Sequence, residues 1–195
     1  MPRLQCLTIK AHHGLARSIV TRCGISAGFD LNANPAPKIA PDCEFDAVWD
    51  TGAMACVISQ QVVDACKLKP IGMTQVRGVH GVKTAEIYLV SVYLPSHVCC
   101  VNVKVTKGDL GDGPQILIGM DIISRGDFAI TTEHGKTVMS FRMPSVKCID
   151  FVEEARAADA EVKRQIPVPA RGSENKERKK KQKQFGKNKR TKKRK

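Results

Sequence analysis

The stretch that decides the fold reads Phe45-Asp46-Ala47-Val48-Trp49-Asp50-Thr51-Gly52-Ala53-Met54-Ala55-Cys56-Val57-Ile58. An apolar strand pattern ends at the carboxylate of Asp50, and a second apolar run follows the glycine turn. By average composition, a chance Asp-Thr-Gly is expected roughly once in twenty-odd chains of this length, so the tripeptide alone is weak evidence. The alternative is an aspartate that merely caps the Ser59 region or begins a turn. A carboxylate between two apolar walls is costly without a purpose. The placement therefore indicates a functional role for Asp50.

Working outward from Asp50, the sequence predicts many short strands and little helix. Ser59 is expected to cap a short helix that runs through Cys66 and cannot continue past Pro70. Residues 84–94 are rich in β-branched and aromatic types, and residues 99–105 alternate with period two. Three further elements are expected: a strand over 115–118, one or two helical turns over Asp121–Arg125, and a hairpin of 128–132 with 137–142. This pattern predicts an all-β, single-lobed, closed barrel.

The two ends of the chain differ from this middle part. Residues 1–44 are predicted to form an N-terminal extension of edge strands with a loop rich in proline and asparagine. The domain itself is predicted to span residues 45–145, and its boundary leaves room for part of 1–44 to belong to it. Asp150 and Glu153 fit a capping box for a C-terminal helix over 150–166. Residues 171–195 are rich in lysine and arginine and are expected to be disordered, because they lack apolar side chains to bury.

Charge and cysteine content narrow the classes of function. The formal net charge is +13, but 14 of the 32 lysine and arginine residues lie in 171–195, so the basic character belongs to the tail. The eight cysteines include no C-x-x-C pair, which favours reduced thiols over a disulfide framework or a zinc site. His12 and His13 have no carboxylate or cysteine at ligand spacing, so no metal and no cofactor are expected. Without a signal-like or membrane-spanning run, a cytoplasmic location is expected.

Two further elements give the region around Asp50 a family resemblance. Leu117-Ile118-Gly119 is an apolar-apolar-glycine element, and Gly78-Val79-His80-Gly81-Val82 is a glycine-framed hairpin candidate between it and Asp50. With them, the chain resembles the retropepsin-like, or retroviral-type, aspartyl proteases. The run from Ile116 to Thr131 is similar to the cellular and bacterial branch of this family.

The resemblance implies a homodimeric peptidase that cleaves a polypeptide substrate. Asp50 would be the catalytic residue and would face its twin across a two-fold axis, with Thr51, Gly52 and Ala53 as the supporting loop. Residues Gly78, Val79, His80, Gly81 and Val82 would form the flap. Leu117, Ile118 and Gly119 would lie behind the catalytic loop, and Asp121 would be a structural hydrogen-bonding residue at the start of the short helix.

The chain also departs from the family pattern. Met54, Ala55 and Cys56 stand where retroviral members carry acidic residues that grip the substrate backbone, and Met120 replaces a common arginine. An ion pair expected near the dimer interface is therefore missing, which predicts a weaker dimer.

Three functions compete at this point. The first is an active dimeric endopeptidase that activates water between two Asp50 carboxylates. The second is a catalytically inactive dimer that binds extended peptides by adding a strand. The third is a nucleic-acid-associated protein, since residues 171–195 could bind RNA or another polyanion without sequence preference.

Overall fold

The computed structural model describes residues 4–12, 14–35, 39–78 and 81–165. The chain divides into two compact units, residues 1–148 and residues 149–195. Among its described residues, the first unit has ten strands and two short α-helices. The strands are β1 Gln5–Lys10, β2 Ile19–Ala27, β3 Cys43–Trp49, β4 Val57–Ile58, β5 Gly72–Gly78, β6 Gly81–Leu94, β7 Val98–Lys107, β8 Ile116–Ile118, β9 Asp127–Thr131 and β10 Val138–Met143. The helices are α1 Gln60–Ala65 and α2 Met120–Ile123.

Six strands close into a barrel in the order β2-β3-β8-β4-β7-β6, and β2 pairs with β6 to complete the ring. The hairpin strand β5 extends the sheet beyond β6. Strand β7 illustrates why the chain forms these elements, because Val103 and Val105 are buried while Asn102 and Lys104 face solvent. The predicted all-β barrel with short helices is therefore confirmed.

Strands β1, β10 and β9 form a separate three-stranded antiparallel sheet. Aromatic packing joins this sheet to the barrel. The ring of Trp49, on β3, stacks on Phe128 of β9 at 5.6 Å between centroids and meets Phe141 of β10 at 5.4 Å. The indole nitrogen of Trp49 also donates a 3.0 Å hydrogen bond to the hydroxyl of Thr21. Trp49, the residue just before Asp50, is thus held by ring packing and by a hydrogen bond.

The N-terminal segment contributes more to the barrel than edge strands. Strand β2 pairs with β3 from Ile19↔Trp49 to Ile25↔Cys43, and with β6 from Gly24↔Tyr93 to Ala27↔Val90. The expectation of edge strands is therefore wrong for β2, which is hydrogen-bonded on both sides. The physical reason is that both partners are distant in sequence, so local periodicity does not reveal them. Strand β1 does lie at an edge of its sheet.

The predicted cap of helix α1 also needs correction. Ser59 precedes the helix with extended backbone, but its side chain makes no capping hydrogen bond. Its hydroxyl instead donates to Oε1 of Gln115 at 3.4 Å, and its backbone amide donates to the Gln115 carbonyl at 2.9 Å. The pairing of β4 with β8 continues through Ser59, so this pairing determines where the hydroxyl points.

The second unit contains helix α3, Phe151–Gln165. The carboxylate of Asp150 accepts hydrogen bonds from the backbone amides of Val152 at 2.9 Å and Glu153 at 3.1 Å, as an N-terminal cap does. Residues 166–195, which include the predicted basic tail, lie outside the described residues.

Candidate active site

Asp50 follows directly after β3, on the loop between β3 and β4. Its backbone amide donates to the Ile118 carbonyl at 3.0 Å, which continues the parallel pairing of β3 with β8. Its Oδ1 accepts a 2.8 Å hydrogen bond from the Gly52 amide, and its carbonyl accepts one from Ala53 at 3.3 Å. The side chain is half-buried. The loop therefore holds the carboxylate in one orientation while leaving it open to solvent.

The strand that carries the apolar-apolar-glycine element lies directly behind this loop. Strand β8 pairs in parallel with β3, which leads into the loop, and antiparallel with β4, which leads out of it. Gly119 follows β8, and a Cβ atom placed on it would lie 2.6 Å from the backbone carbon of Ala55. The next residue, Met120, donates its amide to the Ala53 carbonyl at 2.8 Å. Only glycine fits this approach without displacing the loop.

Asp121 lies in helix α2 and binds the far end of the loop. Its Oδ2 accepts the Cys56 amide at 3.1 Å, and its Oδ1 accepts the Cys56 thiol at 3.0 Å. Oδ1 also accepts the Ile122 amide at 3.0 Å. Burial, and next the hydrogen bond to Asp121, raise the pKa of Cys56 far above its ordinary value, so the thiol stays protonated and acts as the donor. Nothing in the sequence pattern indicated Cys56 as a partner of Asp121.

Several residues of the loop face solvent in the single chain. Thr51 and Gly52 are exposed and Met54 is 86% exposed, and Met120, the first residue of α2 behind the loop, is 37% exposed. Within the described residues, the Thr51 hydroxyl makes no hydrogen bond. The predicted role of Thr51, a contact across a two-fold axis, requires a second chain and stays a prediction.

The glycine-framed hairpin is formed by β5 and β6, with Gly78 paired to Gly81 at its tip. Gly81 has φ +103°, a conformation that favours glycine. Val79 and His80 lie outside the described residues, and Val82 is exposed. The flap role of these five residues stays a prediction.

A cleft of about 820 Å³ lies beside this hairpin. Its walls are the hairpin residues Val76 and Lys83, the segment 107–111, and Ser59 to Gln61. Asp50 does not line it. This cavity therefore borders the predicted flap and is not centred on the carboxylate.

A polar cluster that the sequence did not indicate lies at the edge of this cleft. Glu86 accepts hydrogen bonds from the ammonium of Lys107 at 2.5 Å and from the hydroxyl of Tyr88 at 2.9 Å. The hydrogen bond from Lys107, and to a smaller extent the one from Tyr88, lower the pKa of Glu86. Burial, and to a smaller extent the hydrogen bond to Glu86, raise the pKa of Tyr88 to about 12. Since the cluster joins β6 to the end of β7, it fixes the base of the hairpin.

The remaining expectations concern metals, thiols and membranes. All eight cysteines are free thiols, and Cys23, Cys56, Cys66 and Cys100 are buried. In the described part of the chain, no group of three or more histidine, cysteine or acidic side chains is placed to hold a metal ion. None of the helices in that part combines the length and the apolar content needed to span a bilayer.

Solved structures offer likenesses of fold at low identity. The crystal structure of a retropepsin-like aspartic protease from Rickettsia conorii has a TM-score of 0.45 and 15% identity, over 73% of this chain and 98% of that one. The EIAV protease complexed with an inhibitor has a TM-score of 0.38 and 19% identity, over 58% and 91%. The Simian Foamy Virus (mac) protease has a TM-score of 0.34 and 16% identity, over 53% and 89%.

The family comparison bears directly on the loop that carries Asp50. The model of a family described as aspartyl protease matches residues 38–122, which run from just before β3 into helix α2. No curated protein matches the chain. The matched residues contain Asp50, its loop, the hairpin and Gly119, as the resemblance predicted from the sequence. Over residues 38–122 the chain is thus similar to the aspartyl protease family, and this match supports its interpretation as an aspartic-type peptidase.

Proposed function

We propose that two copies of this chain associate into a homodimeric endopeptidase, in which the two Asp50 carboxylates meet and activate a water molecule. The observation that carries this proposal is the loop itself. It presents one half-buried carboxylate per chain, held by the Gly52 amide. The 195 residues contain one Asp-Thr-Gly and no Asp-Ser-Gly. Because one carboxylate cannot act as general base and general acid in the same step, a symmetry-related copy supplies the second.

The exposed surface of the loop supports the same association. Thr51, Gly52 and Met54 are uncovered in the single chain, and Met54 is almost fully exposed. A large apolar side chain beside a catalytic carboxylate is better accommodated against a partner or a substrate than in water. Thr51 is proposed to brace the paired loops by a hydrogen bond to the second chain. Residues 78–82 are proposed to close over the bound polypeptide as a flap.

The chemistry follows from two carboxylates held close together. Both cannot ionise at low cost, so the pair holds one proton, as aspartic protease dyads do. The ionised carboxylate takes a proton from water, which attacks the peptide carbonyl. The protonated carboxylate stabilises the developing oxyanion, and the leaving nitrogen is protonated in a later step. In this route the enzyme forms no covalent intermediate.

The substitution Asp50→Asn tests the proposal. An asparagine Oδ1 can still accept the Gly52 amide, so folding and association should persist, but the amide cannot accept a proton from water. The purified Asp50→Asn variant should therefore show no cleavage of an unbiased peptide library that the wild type cleaves. Asp46→Asn is the matched control, because Asp46 is an exposed carboxylate on β3, the strand that leads into the Asp50 loop, and is paired with Arg22 at 3.2 Å. Equal turnover by Asp50→Asn and wild type would refute the proposal.

A second candidate function rests on the tail. Residues 171–195 hold 14 lysine and arginine residues and 2 glutamates. A chain segment of this charge binds polyanions by releasing their counterions, without reading a sequence. We propose that the tail attaches the peptidase to RNA or another polyanion, as an addition to its activity.

A further inference from the structure

We infer that Cys56 is a positioning residue, whose buried thiol holds the Asp50 loop against Gly119 and Asp121. This inference rests on the proposed peptidase function and assigns a role to a residue outside the Asp-Thr-Gly turn. Cys56 is the last residue of the loop before β4, and it is 1% exposed.

The sulfur atom makes two polar contacts with the segment behind the loop. It accepts a hydrogen bond from the Gly119 amide at 3.3 Å and donates one to Oδ1 of Asp121 at 3.0 Å. A protonated thiol can do both at once, because it carries one donor and has lone pairs free to accept. The Gly119 amide is buried, so losing the sulfur acceptor would leave a buried donor without a partner, which is costly.

These contacts complete a set of anchors along the whole loop. At its start, the Asp50 amide is bound to the Ile118 carbonyl, and in its middle the Ala53 carbonyl is bound to the Met120 amide. Cys56 anchors its end through its amide and its thiol. The segment 118–121 therefore holds the loop at three successive points. Cys56 supplies the side-chain part of the last one.

The position of the loop matters because the carboxylate must meet a second one in a narrow geometry. A catalytic group displaced by about 1 Å can cost on the order of a hundredfold in rate. Without the thiol contacts, only the Cys56 amide still binds the end of the loop to Asp121. We infer that the loop, and with it the Asp50 carboxylate, then departs from its single orientation. We therefore expect the loss to fall on kcat, with KM little changed, since Cys56 is buried and does not contact the substrate.

The test compares the same substitution at two buried cysteines. Cys56→Val removes the donor and the acceptor, and the extra carbon atom that valine brings is shared by the control variant. Cys23→Val is the matched control, because Cys23 is also 1% exposed but lies in β2, and its thiol donates to the neighbouring Gly24 carbonyl at 3.6 Å rather than to the segment behind the Asp50 loop. Cys56→Val should lower kcat by about tenfold or more, and Cys23→Val should leave kcat unchanged. Cys56→Ser, which keeps both hydrogen-bonding functions, should restore most of the activity.

Hydrogen exchange of backbone amides gives a readout that does not depend on activity. In Cys56→Val, the amides of Gly119 and Gly52 should exchange at least about tenfold faster than in wild type, and in Cys23→Val they should not. If wild type shows no Asp50-dependent cleavage, the proposed function fails, and the exchange at Gly52 still decides the role of Cys56. If Cys56→Val does not fold, Cys56→Ala takes its place. Equal kcat and equal Gly52 exchange in the two valine variants would overturn the inference.

Discussion

Gly119 lies so close to Ala55 that a Cβ atom on Gly119 would be 2.6 Å from the Ala55 backbone carbon and 2.7 Å from its oxygen. Contacts this short cannot be relieved by rotating a side chain, because both neighbouring atoms belong to the backbone. The segment behind the loop and the loop itself therefore cannot move independently of each other.

Replacing Gly119 by alanine should both destabilise the domain and impair the active site. Forcing an extra methyl group into a packed region costs about 1 to 3 kcal/mol in unfolding free energy, and the displaced loop should lose activity. Thermal unfolding and peptide turnover measure the two effects. Gly113→Ala is the control, because no atom lies within 4 Å of a Cβ at Gly113. Similar unfolding temperatures for the two variants would contradict the close approach.

Activity should require Asp50 from two chains. In a fused tandem of two copies, Asp50→Asn in one copy should be enough to eliminate turnover, because the remaining carboxylate lacks its partner. A tandem with Asp46→Asn in one copy should remain active. Turnover by the unfused protein should fall faster than linearly on dilution below the dimer dissociation constant. A species that sediments as a monomer and still cleaves peptides would show the dimer to be unnecessary.

Asp127 should make stability depend on pH in the acid range. The hydroxyl of Ser145, then the guanidinium of Arg142 and the amide of Val146, bind its carboxylate and hold its pKa well below its usual value. A lowered pKa in the folded state means that this stabilisation is complete above the unfolded value of about 3.9 and is lost as pH falls below it.

The substitution Asp127→Asn should therefore lower Tm at pH 6 relative to wild type, and the difference should shrink between about pH 4 and pH 2. Differential scanning calorimetry across this range measures it. Asp46→Asn removes an exposed ion pair with Arg22 and should change Tm little at any pH. A Tm difference for Asp127→Asn that is the same at pH 6 and pH 2 would mean that the charge of Asp127 does not contribute.

Removing residues 171–195 should separate the two proposed functions. Full-length protein should bind RNA with an affinity that falls steeply as salt rises, and this dependence should largely vanish in the truncated chain. Peptide turnover should be unchanged, because the tail has little apolar content with which to join a core. Filter binding at several salt concentrations is the measurement. Undiminished RNA binding after truncation would place the binding site in the remaining residues.

Local patterns in the sequence predicted the Asp50 turn and most of the strands. The alternation around Val103 and the apolar run into Trp49 are local signals, and each corresponds to a strand. The C-terminal helix was predicted from the Asp150 cap in the same way. The hairpin was recognisable in the sequence from Gly78 and Gly81, which pair with each other in the structure.

Contacts between distant residues could not be predicted in this way. Strand β2 is central because it meets β3 and β6, yet its own residues alternate poorly, with Cys23 and Ile25 buried beside a buried Gly24. Ser59 has the sequence context of a helix cap, but its hydroxyl donates to Gln115, 56 residues away. Cys56 looks like one more apolar residue before β4, and its partner Asp121 follows 65 residues later. Local spacing carries no information about such pairs.

The pairing of the first strand of the domain with the last has a consequence for the protein during its synthesis. Gln5 pairs with Met143, so the sheet that packs against Trp49 cannot be completed until residue 143 has been made. At roughly 5 to 20 residues per second, a ribosome needs about 5 to 20 s to pass from Asp50 to Met143. During that interval Asp50 has been synthesised, but the three-stranded sheet that packs against Trp49 is still incomplete. The proposed catalytic carboxylate of a nascent chain therefore lacks its final support until translation of the domain is complete.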